Sequence, residues 1–155
     1  MRILKFLFEN KIDLINNEWF EKFDLDSKFI LNGVKIGDNE KKIRNGIVVI
    51  NFQRGINEHC LVRSDNFEYN YKIINGKVVG FSRRNTANKT KNEFILKLGK
   101  PIKAEPIIGQ IYNMYSFDID GYEWLYRNKI KLVLDNKEEK VEAIHFGEEL
   151  GYFEN

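Results

Sequence analysis

The stretch FEYNYKIINGKVVGFSRR, residues 67–84, decides the fold class. Phe67, Tyr69, Tyr71 and Ile73 occupy alternate positions, so an extended chain points all of them to one face. Asn75-Gly76 follows, then Val78, Val79 and Phe81. An Asn-Gly pair between two such runs is the strongest short-range hairpin signal, because a type I′ turn needs positive φ at both central residues. The stretch therefore predicts an antiparallel hairpin, and an antiparallel sheet needs neighbours of the same kind.

Working outward, they are present. Phe29 to Leu31 and Val34 to Ile36 flank a second Asn-Gly pair, Asn32-Gly33. Ile47 to Phe52 reads as a continuous apolar strand, with His59 to Arg63 as its partner across Gly55. Arg83 to Lys91 is a polar loop ending in Thr90-Lys91-Asn92-Glu93, the form of a capping box. The helix it opens buries Phe94, Ile95 and Leu98, Gly99 supplies its left-handed cap, and Pro101 prevents continuation. Tyr112 to Asp118 is an expected strand and Asp120-Gly121 a turn. Tyr122, Trp124 and Tyr126 share a face. Ile130, Leu132 and Leu134 alternate with Lys129, Lys131, Val133 and Asp135, and a polar turn over Asn136 to Glu139 leads into Val141 to Phe146.

At the other end Ile12, Ile15, Trp19 and Phe23 recur at spacings of three and four, predicting an N-terminal helix that Leu4, Leu7 and Phe8 extend backwards and Asp24 and Asp26 close. Its polar face mixes Asp13, Glu18 and Glu21 with Lys11 and Lys22, which suits packing on a sheet better than lying on a membrane. The expected architecture is α+β: a mainly antiparallel sheet of hairpins carrying an N-terminal helix and a short mid-chain helix. The 155 residues fit a single domain, 1–155.

Composition bounds the function. The chain is 43% hydrophobic and 31% charged, a globular balance rather than a disordered one. Cys60 is the single cysteine, which excludes an internal disulfide and fits a reducing, cytoplasmic setting. No stretch approaches the ~18 apolar residues of a membrane span. Abundant Asn, Ile and Lys with scarce Ala suggest an A/T-rich bacterial source.

Catalysis finds little support. His59 and Cys60 are adjacent and point to opposite faces of a strand, so they cannot pair. Ser27, Ser64, Ser82 and Ser116 lack the context of a nucleophile elbow. His145 with Glu148 and Glu149 is the one metal-like grouping, and it is short of the three or four placed ligands that zinc needs. Leu98-Gly99-Lys100-Pro101 lacks the spaced glycines of a phosphate loop. No enzyme activity, metal or cofactor is expected.

The net charge of +2 hides an asymmetry. Residues 72–103 carry nine basic side chains against Glu93 alone, and residues 118–155 carry ten acidic against five basic. Two surfaces follow. Glu138, Glu139, Glu142, Glu148 and Glu149 with Tyr122, Trp124 and Tyr126 have the composition of a protein-binding patch, aromatic anchors within charge. Arg83, Arg84, Lys89 and Lys91 with Tyr69 and Tyr71 have the composition of a single-stranded nucleic-acid grip, in which charge tracks the backbone and rings stack on bases.

In layout, residues 28–146 resemble the cytoplasmic immunity proteins of bacterial polymorphic-toxin and contact-dependent inhibition systems. The resemblance is carried by the Asn-Gly hairpins, the capped helix ending Leu98-Gly99-Lys100-Pro101, and the closing pair Lys129-Ile-Lys-Leu-Val-Leu-Asp135 and Lys140-Val-Glu-Ala-Ile-His-Phe146. It implies a protein that binds and blocks one cognate toxin domain, for instance a nuclease, and performs no chemistry itself. A nucleic-acid-binding module using segment 72–103 is the alternative.

Overall fold

The computed structural model describes residues 11–44, 51–53, 58–64, 67–107 and 120–147. In chain order the elements are β1 (Lys11–Asp13), α1 (Trp19–Lys22), β2 (Lys28–Ile30), α2 (Lys41–Arg44), β3 (Asn51–Gln53), β4 (Glu58–Ser64), β5 (Phe67–Ile74) and β6 (Lys77–Arg84), then α3 (Lys91–Leu98), β7 (Lys103–Ile107), β8 (Gly121–Leu125), β9 (Ile130–Leu134) and β10 (Val141–Gly147). Eight strands form one sheet in the order β3-β4-β5-β6-β10-β9-β8-β7, and every neighbouring pair is antiparallel. The α+β class expected from the sequence is the observed one.

The central hairpin forms as its sequence demands. Asn75 and Gly76 take φ of 51° and 74°, the left-handed pair of a type I′ turn, and Ile74 faces Lys77 across it. Val78 and Phe81 are both fully buried although three positions apart. Strict alternation would turn one of them outward. A register shift resolves this: Lys72 faces Gly80 but Ile73 faces Val78, so Val79 is the extra residue of a bulge.

The sheet presents one apolar face, with Cys60, Val62, Tyr69, Tyr71, Phe81, Leu132, Ile144 and Phe146 in the core cluster. Leu14, Trp19, Phe20, Phe23 and Leu31 from the N-terminal segment join that cluster, with Phe94 and Leu98 from α3. Edge-to-face aromatic contacts knit the layers, Phe20 to Phe94 at 5.0 Å and Trp19 to Phe23 at 5.4 Å. The capping box of α3 is complete: Thr90 Oγ1 accepts the Glu93 N–H at 3.2 Å, and Glu93 Oε2 accepts the Thr90 N–H at 2.7 Å.

Three expectations are corrected. The N-terminal segment is not a helix from Ile12 to Phe23. Within the described part it is a short strand paired in parallel with β2, then turns, then one helical turn over Trp19–Lys22. Side chains divert the backbone: Asp13 Oδ1 accepts the N–H groups of Ile15 and Asn32, and Asn16 Oδ1 accepts that of Glu18. Such local bonds compete with helix. The apolar residues are nonetheless buried, so the pattern marked the core correctly and the conformation wrongly; Leu4, Leu7 and Phe8 lie outside the described residues. At Asn32-Gly33 the turn forms, with φ of 52° and 78°, but only Leu31 and Val34 bridge it. The Asp120-Gly121 turn gives way to a strand that begins at Gly121, paired with β7, an edge strand the sequence did not announce. The expected strand over Tyr112 to Asp118 lies outside the described residues.

Candidate functional site

The two charged regions of the sequence meet. Trp124 faces the core and is 6% exposed. Its indole Nε1 donates to Glu138 Oε1 at 2.7 Å, while Lys91 lies 5.3 Å from its ring and donates to the Glu138 carbonyl at 2.9 Å. Glu139 and Lys140 line a shallow hollow of about 280 Å³ with Lys89 and Lys91. The acidic turn is therefore partly neutralised by the basic loop. Tyr126 is buried and its hydroxyl donates to the Gly99 carbonyl at 3.0 Å; burial pushes its pKa up to about 12. Tyr122 and Glu142 are half-buried, and Glu139 is exposed. Trp124 and Tyr126 are thus core residues rather than surface anchors, a correction that follows from the face of the strand they occupy. Glu148 and Glu149 lie outside the described residues.

The expected nucleic-acid grip is also dispersed. A base can stack only on a ring with an open face. Tyr69 and Tyr71 are 4% and 0% exposed. The Tyr71 hydroxyl donates to the Leu31 carbonyl at 2.6 Å, and Asn32 Nδ2 donates to the Tyr69 oxygen at 3.3 Å. Burial raises both phenol pKa values. Arg83 shares that face and is 2% exposed, whereas Arg84 is half-buried on the opposite face, 3.9 Å from Glu68. Lys89 lies 5.1 Å from the Phe20 ring. These residues do not line one groove.

The second face of the sheet carries a buried polar row. Cross-strand neighbours place Asn70 beside Ser82, Ser82 beside His145, and His145 beside Lys131. Lys131 is ion-paired with Glu123 at 2.9 Å. Burial, and then the charge of Lys131, pushes the His145 pKa down to about 3. So weak a base is poorly matched to proton abstraction near neutrality, and none of the other polar groups in this row is free. Among the described residues no three His, Cys, Asp or Glu side chains come together as a metal set.

A groove remains whose shape and charge suit a ligand. It encloses about 480 Å³ where β2, the residues after the Asn32-Gly33 turn, the start of β6 and the end of β10 converge. Its apolar lining includes Phe29, Phe81 and Phe146, with Phe29 and Phe146 ring centroids 4.1 Å apart. Four exposed lysines line it, Lys28, Lys35, Lys77 and Lys129, and no carboxylate does among the described residues. Ile36, 44% exposed, stands on the same wall. Gly147 closes one end at φ 81°, where a Cβ would come within 2.5 Å of the Val79 carbonyl oxygen and of Ile36 Cδ1.

Comparison with known protein families, characterised proteins and solved structures finds no match. Sequence reasoning included Lys77 in the basic middle and did not single out Lys28, Lys35 or Lys129. They come from segments far apart in the chain, and no local pattern joins them. The legible hint was the pair of Asn-Gly turns, since Lys35 and Lys77 each follow one.

Proposed function

We propose that this protein acts by binding another protein, as an immunity protein that occludes a cognate toxin domain, and that the lysine-rimmed groove is its gripping surface. The observation that carries the reading is the groove itself: an apolar floor that includes Phe29, Phe81 and Phe146, with the exposed Lys35 and Lys77 on its rim beside Lys28 and Lys129, which hold partners of their own. That chemistry complements an acidic segment that presents an apolar side chain. Positive rim charge steers the encounter, and burial of an apolar anchor in the floor supplies affinity. The layout resemblance to cytoplasmic immunity proteins points the same way. The sign of the surface is the reverse of the acidic patch read from the sequence, because Glu138 is committed to Trp124.

The test uses two probes in parallel, a fluorescently labelled acidic peptide bearing Leu and Phe, and a single-stranded RNA of equal charge. Peptide binding is expected to weaken with salt and to fall about a hundredfold in Lys35→Glu with Lys77→Glu, a tenfold step for each lost charged contact. RNA binding tighter than peptide binding, with the same sensitivity to the double variant, transfers the groove to nucleic acid. Peptide binding unaffected by the double variant, or no binding of either probe at low salt, overturns the groove. The immunity role is tested separately by co-expressing the product of the gene immediately upstream. Growth arrest relieved by this protein supports the role, and arrest that persists in its presence overturns it.

A further inference from the structure

The groove that Lys35 and Lys77 rim opens at the point where the chain leaves the sheet. Phe146 and Gly147, the last two residues of β10, are part of its lining. An ideal Cβ on Gly147 would lie 2.5 Å from Ile36 Cδ1, so the chain passes directly against the exposed wall. Eight residues follow, Glu148-Glu149-Leu150-Gly151-Tyr152-Phe153-Glu154-Asn155, and they lie outside the described residues. On the reading of the groove as a site for acidic segments with apolar side chains, we propose that residues 148–155 are its first occupant, a tethered segment that an incoming partner must displace.

The segment matches the groove in charge and in apolar character. It carries three carboxylates, Glu148, Glu149 and Glu154, and no cation. The described lining of the groove carries four lysines and no carboxylate. Lys28 and Lys129 hold partners of their own, so the complementarity is carried by the exposed Lys35 and Lys77. Opposite charge guides a segment to such a rim and fixes its register there. Leu150, Tyr152 and Phe153 supply the apolar side chains. On the other side Phe29 and Val79 are half-buried and Ile36 is 44% exposed, so apolar surface is open to water, and covering it is favourable.

Tethering makes modest contacts sufficient. At about 3.3 Å per extended residue the segment reaches roughly 26 Å from Gly147. That is far enough to lay Leu150 and Phe153 along a groove of about 480 Å³ that Gly147 itself lines. A short tether holds its segment at an effective concentration on the order of 1 mM. An intrinsic affinity of about 0.1 mM then fills the groove about nine-tenths of the time and weakens an incoming partner about tenfold. Glu148 and Glu149, which composition places in an acidic patch for a basic partner, find that basic surface within their own chain.

The experiment places a nitroxide at Asn155→Cys in the full chain; Cys60, the single native cysteine, is buried and escapes labelling. Broadening of the Ile36 and Lys77 amides is followed by NMR. It is compared with that in the same labelled protein carrying Leu150→Ser and Phe153→Ser, which keeps the tether and removes apolar contacts. Broadening is expected to fall severalfold in the substituted protein. A fluorescent acidic peptide bearing Leu and Phe is expected to bind that protein about tenfold more tightly than the wild type. Equal broadening in the two proteins overturns the proposal; if the peptide still binds, the groove reading stands without the segment. Reduced broadening with unchanged peptide affinity overturns the displacement. Reduced broadening with no peptide binding to either protein supports the docked segment and overturns the partner reading of the groove instead. Mixing nitroxide-bearing protein with unlabelled, isotope-enriched protein is expected to give no broadening; broadening there assigns the groove to the segment of a second copy and overturns the tethered form. Should the apolar substitutions impair folding, Glu148→Gln with Glu149→Gln decides the matter through charge alone, with broadening again expected to fall.

Discussion

His145 shows how much one buried side chain contributes to pH behaviour. It is 4% exposed, and burial together with Lys131 lowers its pKa from 6.5 to about 3. An imidazole that stays neutral in the fold but takes a proton when unfolded pulls the equilibrium towards unfolding as pH drops below 6.5, and the loss ends near pH 3, where the folded imidazole protonates too. Between pH 7 and pH 5 the cost is about 2 kcal/mol. Urea midpoints should therefore fall over that interval in the wild type, and the fall should largely vanish in His145→Gln. Equal slopes for the two proteins would contradict the buried neutral state. Asp26, Asp38 and Glu93, whose pKa values are lowered, act at lower pH, where their stabilising charge is lost. At Tyr71 the buried hydroxyl that donates to Leu31 ties the sheet to the N-terminal segment. Tyr71→Phe removes one of that carbonyl's two donors, leaving the Val34 N–H at 3.1 Å, and should cost about 1 kcal/mol in chemical denaturation. The residue scale also shows what was legible in the sequence and misread. Counting by twos from Phe81 puts Arg83 on the core face and Arg84 on the other. The parity is in the sequence, but charge counted without regard to face groups the two arginines as one basic patch.

At the scale of elements, strong local chemistry survived and weak local chemistry yielded. Asn75-Gly76 and the Thr90–Glu93 capping box each satisfy their own backbone, so tertiary context had nothing to override. Thr90→Ala removes the acceptor of the Glu93 N–H and should lower stability by about 1 kcal/mol, read as an earlier urea midpoint with unchanged slope. The N-terminal spacing of three and four was equally visible, yet Asp13 and Asn16 each bond to a nearby backbone N–H, so the segment folds as turns over the core. The groove was illegible for a different reason: its described walls come from five separated segments, brought together only by the sheet order β6-β10-β9 and the chain that precedes α2. Gly147 is the one site there whose residue type is dictated by both backbone and space. Gly147→Ala meets an unfavourable φ of 81° and a contact with the Val79 carbonyl. It should cost about 2–4 kcal/mol by thermal denaturation, far more than an exposed glycine-to-alanine change. A loss under 1 kcal/mol would mean that β10 can move away from β6 at this point.

The described residues are organised as an N-terminal layer and α3 laid over one face of a long sheet, and the two tryptophans sit in different parts of that arrangement. Trp19 belongs to the one-turn helix α1 in the N-terminal layer, and Trp124 to β8, next to the sheet edge strand β7. Both lie in the same core cluster, which runs through Phe20, Phe94, Leu98 and Tyr126. If that cluster is one cooperative unit, neither end can melt alone, because opening the N-terminal layer exposes Tyr71, Phe81 and Phe94 of the sheet and helix beneath it. Two single-tryptophan proteins, Trp124→Phe and Trp19→Phe, then report one transition each in urea. Each substitution shifts its own protein's midpoint, so the comparison is made within each protein, between tryptophan fluorescence and the far-ultraviolet signal of the backbone. Coincident curves in both are expected. A fluorescence transition that precedes backbone loss in the Trp124→Phe protein would show the N-terminal layer to be a separately melting unit. Such a layer could lift from the sheet, and with it would go the β2 wall of the lysine groove. Cooperative unfolding is thus the physical condition under which that groove keeps its β2 wall in the folded protein.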